Sequence, residues 1–110
     1  MALTLYGLKN CDTCKKAMKA LEAAGQAYDF VDIRAEADLA ALVPGWLESA
    51  GPDLLINRRS TTWRTLSEAE RETAPDALLT ANPTLVKRPV IVSGSDVHVG
   101  WTKDVQAALL

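Results

Sequence analysis

Tyr6-Gly7-Leu8-Lys9-Asn10-Cys11-Asp12-Thr13-Cys14-Lys15-Lys16 holds both cysteines of the chain. The residues before it, Leu3-Thr4-Leu5-Tyr6-Gly7, alternate in character and read as a short strand. After it, Cys14, Ala17, Met18, Leu21 and Ala24 recur at spacings of three and four, so they share one helix face. Lys15, Lys16, Lys19 and Glu22 take much of the other side. Asn10 is the expected N-cap and Gly25 the expected C-terminal cap. Ala27-Tyr28-Asp29-Phe30-Val31-Asp32-Ile33 alternates around β-branched and aromatic residues and reads as a second strand. Strand, helix and strand in so short a stretch form a βαβ unit with parallel strands.

The middle of the chain changes character. Residues 35–50 are rich in Ala, Leu and Glu, with Leu39, Leu42, Val43, Trp46 and Leu47 at helical spacing. Pro44 falls inside that pattern, which predicts two short helices or a kinked one. Gly51-Pro52 ends the segment. The stretch from Asn57 to Arg64 is polar, basic and poorly periodic. Ser67 is a helix cap, and a further helix is expected over 73–84 with Pro75 in its first turn. Pro89-Val90-Ile91-Val92 is a strand, Ser93-Gly94-Ser95-Asp96 a turn, and the strand from Val97 to Trp101 returns antiparallel. Thr102 caps a terminal helix.

The totals bound the function. A chain of 110 residues with 48% apolar content is one domain with a core that needs no disulfide staple. A net charge of −2 argues against nucleic acid as a partner. No apolar run approaches the roughly 18–20 residues that span a bilayer, and Met1-Ala2-Leu3-Thr4 lacks a signal-like n-region. A cytoplasmic, monomeric protein without a membrane partner is therefore expected. In a reducing compartment a close cysteine pair is catalytic, redox-sensing or metal-binding rather than structural.

C-x-x-C between a strand and a helix points to redox chemistry for a physical reason. A helix N-terminus carries about half a positive charge and unpaired N–H groups, which stabilise a thiolate at Cys11. Lys9 and Lys15 favour ionisation and Asp12 opposes it. Cys14 lies one turn further in, close enough for a disulfide, and is the candidate resolving residue. The alternative, on an apolar helix face, is a small core residue. A zinc site would have to draw on His98 and carboxylates, so no metal is expected. His98 reads as a strand residue, the three tryptophans as packing, with Trp63 beside Arg59 a possible wall of the site. Thr13 is expected to cap the helix or to bond the turn.

The start Leu5-Tyr6-Gly7-Leu8-Lys9-Asn10-Cys11-Asp12-Thr13, the following Lys15-Lys16-Ala17, Arg59 with Thr61-Thr62-Trp63-Arg64, and Lys87-Arg88-Pro89 before an apolar strand together resemble the arsenate reductase (ArsC)/Spx superfamily, and within it the YffB-like proteins. The resemblance runs in order along essentially the whole chain. It implies an α/β, thioredoxin-like fold: a mixed sheet of about four strands, built from residues of about 1–34 and 85–110, with a helical insertion over about 35–84. It implies that Cys11 is the nucleophile and that Arg59 and Arg88 lie near it; the candidate substrate-binding residues are Arg59, Arg88, Pro89 and Thr13. Pro89 matches a proline that is cis in the family, and in thioredoxin-like folds the backbone before it pairs with the substrate chain.

Two departures shape the expected activity. Arsenate reductases of the superfamily place a third arginine after the last strand, where this chain has Val97-His98-Val99-Gly100-Trp101, and arsenate is best held by several guanidinium groups. Cys14 stands where the arsenate reductases and YffB-like relatives are monothiol, whereas Spx regulators carry C-x-x-C and bind RNA polymerase. The expected function is a glutathione-dependent thiol–disulfide reductase. Glutathione would be a co-substrate, with a disulfide or glutathionylated partner and no tightly bound cofactor. Spx-like regulation is the alternative, and arsenate reduction is less favoured. From composition alone the basic clusters Arg58, Arg59, Arg64 and Lys87, Arg88 read as solvated surface; the resemblance gives Arg59 and Arg88 a role.

Overall fold

A computed structural model describes residues 3–110; Met1 and Ala2, which entered the reading of the N-terminus, lie outside the described residues. Strand β1 (Leu3–Gly7) pairs in parallel with β2 (Tyr28–Asp32), Leu3 opposite Tyr28 and Gly7 opposite Asp32, and α1 (Asp12–Ala23) connects them. The alternation in β1 sends Leu3 and Leu5 to one face, against Ala17 and Leu21 of α1. Tyr6 goes to the other face, where its ring meets Trp46 edge-on at 4.9 Å. Gly25 ends α1 with φ +72°, a conformation only glycine adopts freely. Its N–H bonds Glu22 O at 3.1 Å and the Gln26 N–H bonds Leu21 O at 2.9 Å, closing the last turn in a Schellman motif.

β3 (Val90–Ser93) lies antiparallel on the other side of β1, and β4 (Asp96–Val99) returns antiparallel to β3. The sheet order is β2-β1-β3-β4, a mixed four-stranded α/β arrangement of thioredoxin-like type. A final helix, α7 (Lys103–Leu109), is capped as expected by Thr102, whose Oγ1 accepts from the Val105 N–H at 3.3 Å. Helices α1 and α7 cover one face of the sheet through Ala17, Leu21, Val105 and Leu109.

The other face is covered by the segment between β2 and β3: α2 (Leu39–Ala50), α3 (Pro52–Leu55), α4 (Thr61–Thr65), α5 (Glu68–Arg71), α6 (Pro75–Ala81) and a 3₁₀ turn (Pro83–Leu85). Its Val43, Trp46, Leu55, Leu79 and Leu85 pack with Ile33, Val90 and Val99 of the sheet side. An isolated antiparallel bridge, Ile56 to Val86, ties the segment to the approach of β3.

Two sequence expectations change here. The helix over 39–50 runs unbroken through Pro44. Pro44 and Ala40 are both on the solvent side, so the Ala40 carbonyl that loses its N–H partner is open to water, while Val43 and Trp46 stay buried. The helix expected over 73–84 stops at Ala81, and Pro83 opens a separate 3₁₀ turn. Conversely α4 forms where no apolar period announces it. Ser60 caps it, accepting from the Trp63 N–H at 3.1 Å, and Ser67 with Glu70 forms a full capping box on α5. No described helix is long and apolar enough to cross a membrane.

Candidate active site

Asn10 does not cap α1. The N-cap is Cys11 itself, with φ −89° and ψ 122°, and no side-chain oxygen closes the first turn. The unpaired N–H groups of that turn therefore face a sulfur, which is where a helix N-terminus most favours negative charge. Thr13, the second residue of α1, is exposed and is not a cap.

Both cysteines are free, and their surroundings drive them apart. Burial opposes ionisation of Cys11, but the nearby Cys14 amide and thiol and the Arg88 guanidinium, with its charge, favour the thiolate. The result lies below the ordinary thiol value. These influences outrank Lys9, Lys15 and Asp12, the neighbours in sequence. Lys9 instead stands over the Phe30 ring, 5.9 Å from its centroid. Cys14 is fully buried, and burial, joined by the neighbouring Cys11, pushes it up to about 12 against the favourable Leu8 amide. A β-carbon added at Gly7 would stand 2.6 Å from the Cys14 Sγ, so only glycine lets β1 pass this close to the sulfur.

Cys11 opens into a cleft of about 410 Å³ lined by Leu8, Asn10, Asn57, Arg59, Ser60 to Thr62, Thr84 and Arg88. Arg59 and Arg88, distant in sequence, thus share one cavity with Cys11. Arg59 is exposed, on a turn set by Asn57, whose Oδ1 accepts from the Arg59 N–H at 3.2 Å. Arg88 is more deeply seated: its Nη1 donates to Thr84 O at 3.2 Å, and its Nε is buried without a partner. An unpaired buried donor is costly, and Arg88 shares this cleft with Cys11.

Other expected residues fall outside the cleft wall. Pro89 is buried behind it; the Arg88–Pro89 peptide is cis, and Pro89 O accepts from the Gly100 N–H at 2.8 Å. Thr13 and Cys14 do not line the cleft. Trp63 is no wall of the site either. It packs against the core with Arg58 and Arg71 over its ring, at 5.6 and 5.0 Å from the centroid.

The polar frame of the cleft escaped the sequence reading. Thr62 and Thr84 join hydroxyl to hydroxyl at 2.6 Å, tying α4 to the 3₁₀ turn whose carbonyl holds Arg88. Asn57 and Ser60 fix the turn that carries Arg59. The Ser60 cap and the Asn57 turn had local signatures; the pairing of Thr62 with Thr84 had none.

Comparison with known proteins agrees with this geometry. The model of the ArsC family matches residues 6–109. An uncharacterized protein of Haemophilus influenzae is 40% identical, covering 96% of this chain and 97% of its own length. The YusI protein of Bacillus subtilis is 31% identical over 94% of both. Among solved structures, a YffB protein superposes with a TM-score of 0.87 at 37% identity, covering 98% of each chain. An arsenate reductase from Vibrio cholerae shares the fold alone, with a TM-score of 0.82 at 16% identity over 100% of this chain and 98% of its own. By sequence and by structure the chain belongs to the ArsC family, in its YffB-like branch, and carries that family's thiol-reductase fold.

Proposed function

We propose that the protein is a glutathione-dependent thiol–disulfide reductase of the cytoplasm. The observation that carries the reading is one cleft in which the more acidic cysteine, Cys11, meets two arginines. The Cys11 thiolate attacks the glutathione-side sulfur of a mixed disulfide. A Cys11–glutathione disulfide forms, and the substrate leaves as its thiolate, which takes a proton from water. Arg59 and Arg88 offer guanidinium groups to the two carboxylates of the glutathione moiety. A second glutathione, as thiolate, attacks the sulfur of the bound glutathione. Oxidised glutathione departs and the Cys11 thiolate returns.

Cys14 supports a branch of the same scheme. Its thiol lies beside Cys11, so after loss of its proton it can attack the Cys11 sulfur and expel glutathione, leaving a Cys11–Cys14 disulfide. Its high pKa makes that branch slow near neutral pH. The same internal disulfide is what a Spx-like switch would use. Arsenate is disfavoured because the cleft presents only Arg59 and Arg88 among its lining residues.

The test is turnover of a glutathionylated peptide with reduced glutathione, followed by mass spectrometry of the protein after oxidised glutathione. Turnover and an adduct on Cys11, both lost in Cys11→Ser, are expected. Full activity in Cys11→Ser, or oxidation that yields no adduct and no internal disulfide, contradicts the reading.

A further inference from the structure

We propose that a second groove, continuing from the Cys11 cleft past Arg59, binds an acidic stretch of a substrate polypeptide, so that the preferred protein disulfides are flanked by Asp or Glu. The catalytic part of this rests on the reading of Cys11 above; the groove itself is testable without it.

The groove measures about 450 Å³ and is lined by Asp53, Ile56, Asn57, Arg58, Arg59 and Lys87. It shares Asn57 and Arg59 with the Cys11 cleft, so the two cavities lie in series. Such a series suits an extended chain, which advances about 3.3 Å per residue. Its cationic residues are borne on a fixed frame. The Asn57 N–H donates to Leu85 O and the Lys87 N–H to Leu55 O, each at 2.8 Å, around the Ile56–Val86 bridge. The cations are also poorly compensated. The only ion pair among the described residues is Arg58 with Asp53 at 3.2 Å, and both are exposed, so that pair is weak and exchangeable. Arg59 and Lys87 have no carboxylate partner among the described residues. Three cations against one carboxylate, with Arg88 next door, make a local positive field on a chain whose net charge is −2.

The chemistry favours carboxylates on a peptide over a nucleic-acid strand. Single-stranded nucleic acid needs an exposed aromatic platform for its bases. Among the described residues the large exposed apolar ones are Leu54 and Leu110, and Trp63 is covered by two arginines.

The test uses fluorescently labelled peptides of one length, with a central serine in place of the cysteine and two Glu, two Ala or two Lys on each side. Anisotropy in dilute salt is expected to show the Glu peptide binding at least about fivefold more tightly than the Ala peptide, with the Lys peptide weakest. The order should collapse in concentrated salt, because exposed charges are screened. Lys87→Ala and Arg58→Ala should each move the Glu-to-Ala ratio toward one. Equal binding of the three peptides, a ratio unmoved in both variants, or tighter binding of a single-stranded oligonucleotide would overturn the proposal. The cysteine versions, glutathionylated, then separate the two claims. Turnover without charge preference keeps the reductase and removes the groove. Charge-ordered binding without turnover keeps the groove and removes the reductase.

Discussion

The βαβ unit at the N-terminus and the helical segment between β2 and β3 contribute to one cleft by opposite means. The first supplies the sulfur from a local, apolar construction: a strand, a tight turn, and a helix whose buried face holds Cys14, Ala17 and Leu21. The second supplies cations and hydroxyls from short helices tied by polar bonds: the Ser60 and Ser67 caps, the Thr62–Thr84 pair, and Arg71, whose Nε and Nη2 donate to Trp63 O at 3.1 and 2.9 Å. The difference teaches that the position of the Cys11 sulfur is set by packing, while its surroundings are set by hydrogen bonds made far along the chain.

Substitutions in the two regions should therefore fail differently. Cys11→Ser should abolish disulfide exchange, by about a thousandfold or more, because a hydroxyl is not ionised at neutral pH. Arg59→Ala should cost about tenfold in kcat/KM for a glutathionylated peptide, the scale of one charge-assisted hydrogen bond. Similar losses for both, measured by glutathione-coupled turnover, would erase the distinction between nucleophile and holder.

Gly7→Ala tests the packed half. Its β-carbon would meet the Cys14 Sγ at 2.6 Å, and the neighbour is a buried sulfur with little room to yield. Denaturant unfolding should show a loss of about 1–3 kcal/mol, the usual cost of overpacking a core. An unchanged midpoint would mean that the turn is looser than described.

Cys14 sharpens the same half through pH. Its folded value of about 12 exceeds the ordinary 9.0, so between those values the unfolded chain has lost a proton that the native chain keeps. The stabilisation is complete below about pH 9 and declines as pH rises toward 12. The slope is at most about 1.4 kcal/mol per pH unit. Chemical unfolding across that window should fall more steeply for the native sequence than for Cys14→Ala. Parallel slopes would show that Cys14 is solvated.

Thr62→Val probes the polar half and carries the smallest effect. Loss of the hydroxyl removes the bond to Thr84, whose carbonyl orients Arg88. The Cys11 titration should move slightly upward, with Thr62→Ser restoring it, since the guanidinium that favours the thiolate is only loosened. No movement, or failure of the serine to rescue, would separate Thr62 from the site.

Legibility in the sequence followed the same division. The βαβ unit was readable because periods of two and of three to four are direct images of buried faces, and Gly25 is the left-handed residue its cap needs. Asn10 misled because capping rules describe oxygen acceptors, and here the cap position carries the cysteine. Of the two outcomes Pro44 pointed to, two short helices is excluded: α2 runs through it, on the solvent side. Helix α4 was invisible to periodicity since none of its residues is fully buried. Arg59 and Arg88 came from family resemblance alone; the cleft is lined by both, and not by the further candidates Thr13 and Pro89. The asymmetry of the two cysteines was only half legible. Helix position favoured a Cys11 thiolate, but the guanidinium beside it depends on a contact between residues 11 and 88 that no local pattern encodes.

That contact is the centre of the account, and direct titration of Cys11 tests it. Thiolate absorbance against pH, in Cys14→Ala so that one thiol is observed, should place Cys11 below the ordinary thiol value of 9.0, and Arg88→Met in the same background should raise it. The removal of the Cys14 thiol takes away one stabilising hydrogen, so the Arg88 effect is read as the difference between the two proteins. A Cys11 that titrates at the ordinary value in both, or that ignores the loss of Arg88, would contradict the claim that the far end of the chain holds this thiolate ready.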